Sequence, residues 1–317
     1  MKKDIKDLKV VFMGTPEFAT VVLKKLIDNT NVVLVVAQPD KEVGRKRELM
    51  PSSVKKVAVE NNIDVFTPNK IRNEYEYIFK YEPDIIITCA YGQIIPKELL
   101  DYPKYKCVNV HASLLPLLRG GAPIHRAIIN GFKETGITIM YMNEKMDEGD
   151  IISQSKIKIE ETDNVGTLHD KLAVLGSELL IETLPSIIND EIEPIKQDSS
   201  KATYGYIIKR EDEHLDFSDT STNVYNKIRG LNPFPSAYII LDDTEIKVLD
   251  AYIGTKTSEK PSIITNVYKD GFSVSTLDKE VIITKIKVSG KKEMFARDYI
   301  NGRKKENLIG KEVKWIK

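Results

Sequence analysis

Three mainly apolar runs, at residues 8–13, 32–37 and 84–89, most constrain the fold of this chain, because each is rich in Val, Ile or Leu and the first leads through a turn and a helical pattern to the second. The run 32–37, apolar throughout with no polar alternation, reads as a strand covered on both faces, which is the habit of parallel sheets. The first run stops at Gly14; Thr15 then stands as a helix N-cap with Pro16 at the first helical position. Phe18, Val21, Val22, Leu23 and Leu26 recur at helical spacing over 16–27, and the strand 32–37 completes a βαβ unit. The alternation continues through helices predicted at 53–61 and 73–81 and strands at 64–66 and 107–110. Strands at 136–142 and 151–159 and a long helix over 164–188, with Leu168, Leu172, Leu175, Leu179 and Leu180 along it, follow. The expected class is α/β, with a Rossmann-like, mostly parallel sheet.

The pattern changes after a polar linker at 198–210. Apart from one helix at 223–229, the remainder reads as short strands at 237–241, 246–252, 263–267, 272–274 and 281–288, separated by Gly, Asp and Lys turns. A second, smaller antiparallel barrel or sandwich is expected. A length of 317 residues agrees with two domains, since single cores stop growing at roughly 250 to 300 residues. No apolar stretch approaches the roughly 20 residues of a membrane-spanning helix. The first nine residues mix Lys2, Lys3, Lys6 and Lys9 with Asp4 and Asp7, unlike a signal or transit peptide, so a cytoplasmic protein is expected. Cys89 and Cys107 lie inside apolar runs and read as buried reduced thiols; Cys and His are too few and too scattered for a metal site. The 47 basic residues balance 47 acidic ones, which excludes a uniformly basic surface but not a segregated one. Residues 281–317 hold eleven basic against four acidic side chains.

Four segments are candidates for chemistry. Gly14-Thr15-Pro16-Glu17 occupies the position of a dinucleotide phosphate turn but lacks the GxGxxG glycines, so it reads as a capped helix start, or as lining for a ligand crevice, and a nicotinamide cofactor is not expected. Strand alternation puts Asn109 and His111 on one face near the carboxyl edge of the sheet. Together they suit donation to an oxyanion, although spacing alone favours a polar strand end with one hydrogen-bonded histidine. In the acidic turn Met146-Asp147-Glu148-Gly149-Asp150, Asp147 is placed to orient His111 and accept an amine proton, or is simply solvated. The segment 38–56 is longer than usual for a strand-to-helix connection, and over 41–56 it carries Lys41, Arg45, Lys46, Arg47, Lys55 and Lys56 against Glu42 and Glu48. It is either a solvated loop or an arm that engages phosphates.

Taken in order, GTPEF at 14–18, QPD…GR…MPS, AYGQIIP at 90–96, NVHASLLP…RGGAPI at 109–124, TGIT, MDEGD and IRGLNPFPSA at 228–237 resemble the methionyl-tRNA formyltransferase family along nearly the whole chain. The resemblance implies a catalytic domain at 1–207 that binds 10-formyltetrahydrofolate in its Rossmann-like fold, and an OB-like β-barrel domain at 208–317 that assists tRNA binding. It implies catalytic roles for Asn109, His111 and Asp147 and folate contacts from Ser113, Leu114, Leu115 and Pro116, with Tyr91 and Gly92 beside them. It further implies contacts from Arg45, Lys46 and Arg47 to the acceptor stem, Arg45 standing at the position of the family's key arginine. The implied reaction is formyl transfer to the α-amino group of initiator methionyl-tRNA for translation initiation, without a metal. Asp147 takes the amine proton while Asn109 and His111 stabilise the oxyanion. The chain departs from the family pattern at Leu117, Leu118 and Ile207, where cationic or aromatic residues are common; Lys209 and Arg210 are candidate substitutes. Two other readings are a formyltransferase for an amino-sugar nucleotide or glycinamide ribonucleotide, which shares the same triad, and a non-catalytic RNA-binding module. The basic loop and β-rich C-terminal region weigh toward tRNA. A monomer with no membrane association is expected.

Overall fold

The computed structural model describes residues 3–43, 47–301 and 308–314. The chain divides into two compact units, one built from Met1–Pro123, Glu134–Lys158 and His169–Tyr206, the other from Ile124–Lys133, Ile159–Leu168 and Ile207–Lys317.

The first unit runs in chain order through β1 (Lys9–Gly14), α1 (Glu17–Asn29), β2 (Asn31–Val36), β3 (Lys41–Val43), β4 (Glu48–Met50), α2 (Ser53–Glu60), β5 (Val65–Phe66), α3 (Ile71–Glu74) and α4 (Glu76–Phe79). It continues with β6 (Ile85–Cys89), α5 (Lys97–Leu100), β7 (Cys107–His111), the start of α6 (Pro123–Ile129), β8 (Glu134–Tyr141), β9 (Ile151–Lys158) and most of α7 (Val165–Ile188). Seven strands form one sheet in the order β5-β2-β1-β6-β7-β8-β9. Pairing is parallel from β5 to β7 and antiparallel across β7-β8-β9. The three apolar runs are the central strands: Val10, Val11, Phe12, Leu34, Val35, Ile85, Ile86 and Ile87 are all fully buried. Both cysteines are buried free thiols, and burial pushes each thiol up from its ordinary value.

Three local expectations change. Thr15 does not cap α1, whose N-cap is Pro16 with no side-chain bond; the Thr15 hydroxyl donates instead to the Tyr91 carbonyl. The helix expected over 73–81 is two single turns, α3 and α4, because its aromatic residues are weak helix formers and are taken up in ring contacts such as the Phe66–Tyr77 stack at 4.3 Å. The basic loop holds a short hairpin, β3 paired with β4.

In the second unit, α8 (Ser221–Gly230) precedes β10 (Ala237–Leu241), β11 (Thr244–Lys256), β12 (Ile264–Val267), β13 (Phe272–Ser275), β14 (Lys279–Val288), β15 (Glu293–Phe295) and α9 (Ala296–Asn301). The antiparallel order is β10-β11-β14-β13-β12, with β15 on β14. Bridges from Lys314 to Ile240 and from Glu312 to Ile263 tie the last described residues to both edge strands, so the sheet closes into a barrel. Its core includes Phe217, Ile228, Ile239, Ile246, Phe272 and Ile283. The short β15 and α9 have no apolar run long enough to announce them.

Candidate active site

The strand order reverses direction at β1, with β2 on one side and β6 on the other. Ligand crevices of open α/β sheets lie outside the carboxyl ends of the strands at such a switch. Here Gly14 pairs with Cys89, and a side chain at Gly14 would bring its Cβ within 2.9 Å of the Cys89 carbonyl oxygen. Beyond β6, Thr15 Oγ1 and Gln38 Nε2 donate to the Tyr91 carbonyl at 3.2 and 3.0 Å. The Tyr91 ring packs into the apolar cluster with Val36, Ile71 and Leu99; its buried hydroxyl has no hydrogen-bond partner among the described residues, and burial raises its pKa. Ala90 and Gly92 on either side of it are exposed, and the φ of +85° at Gly92 suits glycine.

Asn109 and His111 lie on one face of β7, as alternation requires. Thr88 on β6 is the register partner of Asn109, and its hydroxyl donates to Asn109 Oδ1 at 2.8 Å. That bond fixes the amide so that Nδ2 is the end that can donate to a ligand. His111 is buried, with Nε2 at 3.2 Å from the Leu118 carbonyl oxygen. A carbonyl only accepts, so Nε2 carries the hydrogen and Nδ1 is turned to Asp147 Oδ2, 3.7 Å away. With the hydrogen on Nε2, Nδ1 holds a lone pair: it can accept a proton, and can donate to an oxyanion only after taking one.

Asp147 comes from the loop between β8 and β9. Tyr141, at the end of β8, pairs with Val108, so this loop folds back along β7 to reach His111. Two backbone features permit the fold. Asp147 has φ +54°, a left-handed conformation that Asp tolerates better than most residues, and a Cβ on Gly149 would fall 1.7 Å from the Tyr141 carbonyl oxygen. The Gly120 N–H donates to Asp147 Oδ2 at 2.7 Å.

The Ser113–Pro116 turn is braced from the sheet. Thr138 Oγ1 donates to the Ser113 carbonyl at 2.7 Å and accepts from Leu115 N at 3.0 Å, while Gln154 Nε2 donates to the Leu115 carbonyl at 3.0 Å. Ser113 is buried and its hydroxyl donates to the Leu117 carbonyl at 2.6 Å; Leu115 packs on Met140 and Ile151. The side chains of Leu114 and Pro116 are the half-exposed ones. Sequence reasoning missed Thr88, Thr138 and Gln154, although each is a polar residue inside a strand, which was the available signal.

Arg45 and Lys46 lie outside the described residues. Arg47 is 81% exposed, with Nε 3.7 Å from Glu42, and Lys55 pairs with Asp40 at 2.8 Å. Of the positions that depart from the family pattern, Leu118 is buried, Leu117 borders the surface and Ile207 is exposed. Among the described residues no three His, Cys, Asp or Glu side chains group to hold a metal, and no helix is long and apolar enough to cross a membrane.

Residues 8–184 match the formyl transferase family, and residues 207–304 match the formyl transferase C-terminal domain. The chain is 49% identical over 309 residues to a methionyl-tRNA formyltransferase of Staphylococcus aureus, spanning 96% of this chain and 99% of the relative. It is 52% identical over 299 residues to that of Bacillus subtilis, spanning 93% of this chain and 94% of the relative. The chain belongs to the methionyl-tRNA formyltransferase family. A solved structure with the same fold is the N-formyltransferase of Helicobacter canadensis, in complex with folinic acid and dTDP-3-aminofucose, at TM-score 0.68 and 22% identity over 87% of this chain and 99% of that one. Another is HypX of Aquifex aeolicus in complex with tetrahydrofolic acid, at TM-score 0.64 and 17% identity over 98% of this chain and 50% of that one. The formyltransferase fold accounts for both the mostly parallel sheet and the separate antiparallel sheet.

Proposed function

We propose that this protein transfers the formyl group of 10-formyltetrahydrofolate to the α-amino group of initiator methionyl-tRNA. The observation that carries the proposal is the 49–52% identity, over at least 93% of the chain, to relatives named methionyl-tRNA formyltransferase. Asn109, His111 and Asp147 supply what the reaction needs. The amine nitrogen attacks the formyl carbon, a tetrahedral oxyanion forms, the bond from that carbon to folate N10 breaks, and the proton lost by the amine ends on N10. Asn109 Nδ2, oriented by Thr88, donates to the oxyanion. Asp147 and His111 Nδ1, 3.7 Å apart, form the pair through which the amine proton leaves; such separations shorten when substrate closes the site. The chemistry balances without a metal.

In this reading the backbone at 91–92 and the half-exposed Leu114 and Pro116 face the folate, and Ser113 and Leu115 act through their main chains. Arg45, Lys46 and Arg47 engage tRNA phosphates, and the barrel domain at 208–317 assists them. The test is transfer of isotope-labelled formyl from 10-formyltetrahydrofolate to methionyl-tRNA by the purified chain, with an amino-sugar nucleotide and glycinamide ribonucleotide as competing acceptors. Label on methionyl-tRNA is expected; label only on another acceptor would overturn the proposal.

A further inference from the structure

Arg119 is among the largest fully buried side chains of the molecule, 1% exposed, and it lies between the residue that accepts from His111 and the residue that donates to Asp147. A buried guanidinium is costly unless its donors are satisfied. Here Nε and Nη2 both donate to Gln197 Oε1, at 3.1 and 2.8 Å, Nη1 stands 3.2 Å from Glu148 Oε1, and Nη2 reaches Ser199 Oγ at 3.5 Å. Gln197 then uses its other end: Nε2 donates at 2.8 Å to the carbonyl oxygens of both Asp147 and Gly149. The orientation of this amide is unambiguous, since turning it over would set NH₂ against the guanidinium and oxygen against two carbonyls. The Arg119 main chain is pinned as well, its N–H to the Thr203 carbonyl at 2.9 Å and its carbonyl to the Gly205 N–H at 2.7 Å.

We propose that Arg119 and Gln197 are positioning residues that clamp the Asp147 loop and the 118–120 segment together, setting the distance between the Asp147 carboxylate and His111. Asp147 occupies a left-handed conformation, which persists only where its surroundings over-determine it. The clamp supplies that: Gln197 grips the loop at the carbonyls of Asp147 and Gly149, Arg119 grips it at Glu148, and the neighbouring Gly120 N–H grips the Asp147 carboxylate. The same three-residue segment presents the Leu118 carbonyl to His111, so one anchor governs both halves of the proton-handling pair.

The proposal rests on the formyl-transfer reading, and the experiment separates the two. Arg119→Met, Arg119→Lys and Gln197→Leu are assayed for kcat, both KM values and the pH–rate profile, alone and in an Asp147→Asn background, with circular dichroism to confirm folding. A misplacement of about 1 Å in a reacting group costs on the order of 10²-fold in rate. Gln197→Leu is therefore expected to lower kcat by roughly 10- to 100-fold with KM for the folate changed little, and to displace the pH–rate limb that Asp147→Asn abolishes. Arg119→Lys, which keeps the charge for Glu148 but not the fork on Gln197, should recover only part of the Arg119→Met loss. In the Asp147→Asn background both effects should nearly vanish. Equal losses in the two backgrounds, or a folded Gln197→Leu variant with unchanged kcat and pH profile, would overturn the clamp while leaving the functional reading intact. Should Arg119→Met not fold, the Gln197→Leu comparison decides alone. Wild-type protein unable to formylate methionyl-tRNA would overturn the functional reading instead.

Discussion

Gly120 and His111 converge on one oxygen atom: the Gly120 N–H donates to Asp147 Oδ2 at 2.7 Å, and His111 Nδ1 faces the same atom at 3.7 Å. The amide holds the carboxylate in place without transferring a proton itself, so the pair works only while the main chain at Gly120 keeps its conformation.

That conformation, φ +112°, is one that L side chains rarely adopt, and a Cβ there would stand 3.1 Å from the Gly205 carbonyl oxygen. Gly120→Ala is expected to destabilise the fold by about 1–3 kcal/mol. If the amide shifts, kcat should fall by roughly 10- to 100-fold at saturating substrate. Thermal unfolding and turnover measured on one preparation check this, and a stable variant with native kcat would refute it.

Thr88 orients Asn109, so the two should act as one unit. Asn109→Ala, which removes an oxyanion donor, is expected to lower kcat by about 10²- to 10³-fold. Thr88→Val removes a neutral hydrogen bond worth about 0.5–1.5 kcal/mol and should cost up to roughly tenfold. The double variant should be no slower than Asn109→Ala. Additive losses would show that Thr88 acts by another route.

The legible and illegible parts of this site differ in sequence range. Asn109 and His111 could be placed because strand alternation is local, and the three apolar runs forecast the central strands because a buried parallel strand must be apolar on both faces. Asp147 could be suspected but not placed: its approach depends on a loop folding back along β7, which the contact of Gly149 with Tyr141 permits and nothing within 146–150 announces. Thr15 shows the reverse error. Its position before Pro16 suits a cap, yet a long-range partner, the Tyr91 carbonyl, takes the hydroxyl. Tyr91 itself stands in the expected motif with its side chain turned into the core, a direction that only the packed sheet decides.

Arg47, 81% exposed at the tip of the β3–β4 hairpin, is the described member of the basic loop triplet. Arg47→Gln should raise KM for methionyl-tRNA and leave KM for the folate unchanged. If the side chain meets one phosphate, the slope of log affinity against log salt should decrease by about one. Filter-binding or fluorescence titrations over a salt series measure it, and an unchanged slope would remove Arg47 from the interface.

His214 gives the second unit a pH dependence of its own. The ring is 2% exposed and packs 4.8 Å from the Tyr238 ring. Burial pushes its pKa below the ordinary value, helped by the nearby charges of Lys227 and Arg210 and opposed by a hydrogen bond to the Lys314 main chain and by Asp216. The unfolded imidazole, with a pKa of about 6.5, therefore takes up a proton before the folded one does. Stability from this group is fully present above that value and is lost as the pH falls below it toward the folded value. His214→Gln, which keeps a hydrogen-bond donor but does not titrate, should lose less stability than the wild type between about pH 7.5 and pH 5, a window centred near the ordinary histidine value. Denaturant titrations of both proteins across that window, followed by barrel-domain hydrogen exchange, measure the difference. Parallel losses in the two proteins would assign the acid sensitivity to other groups.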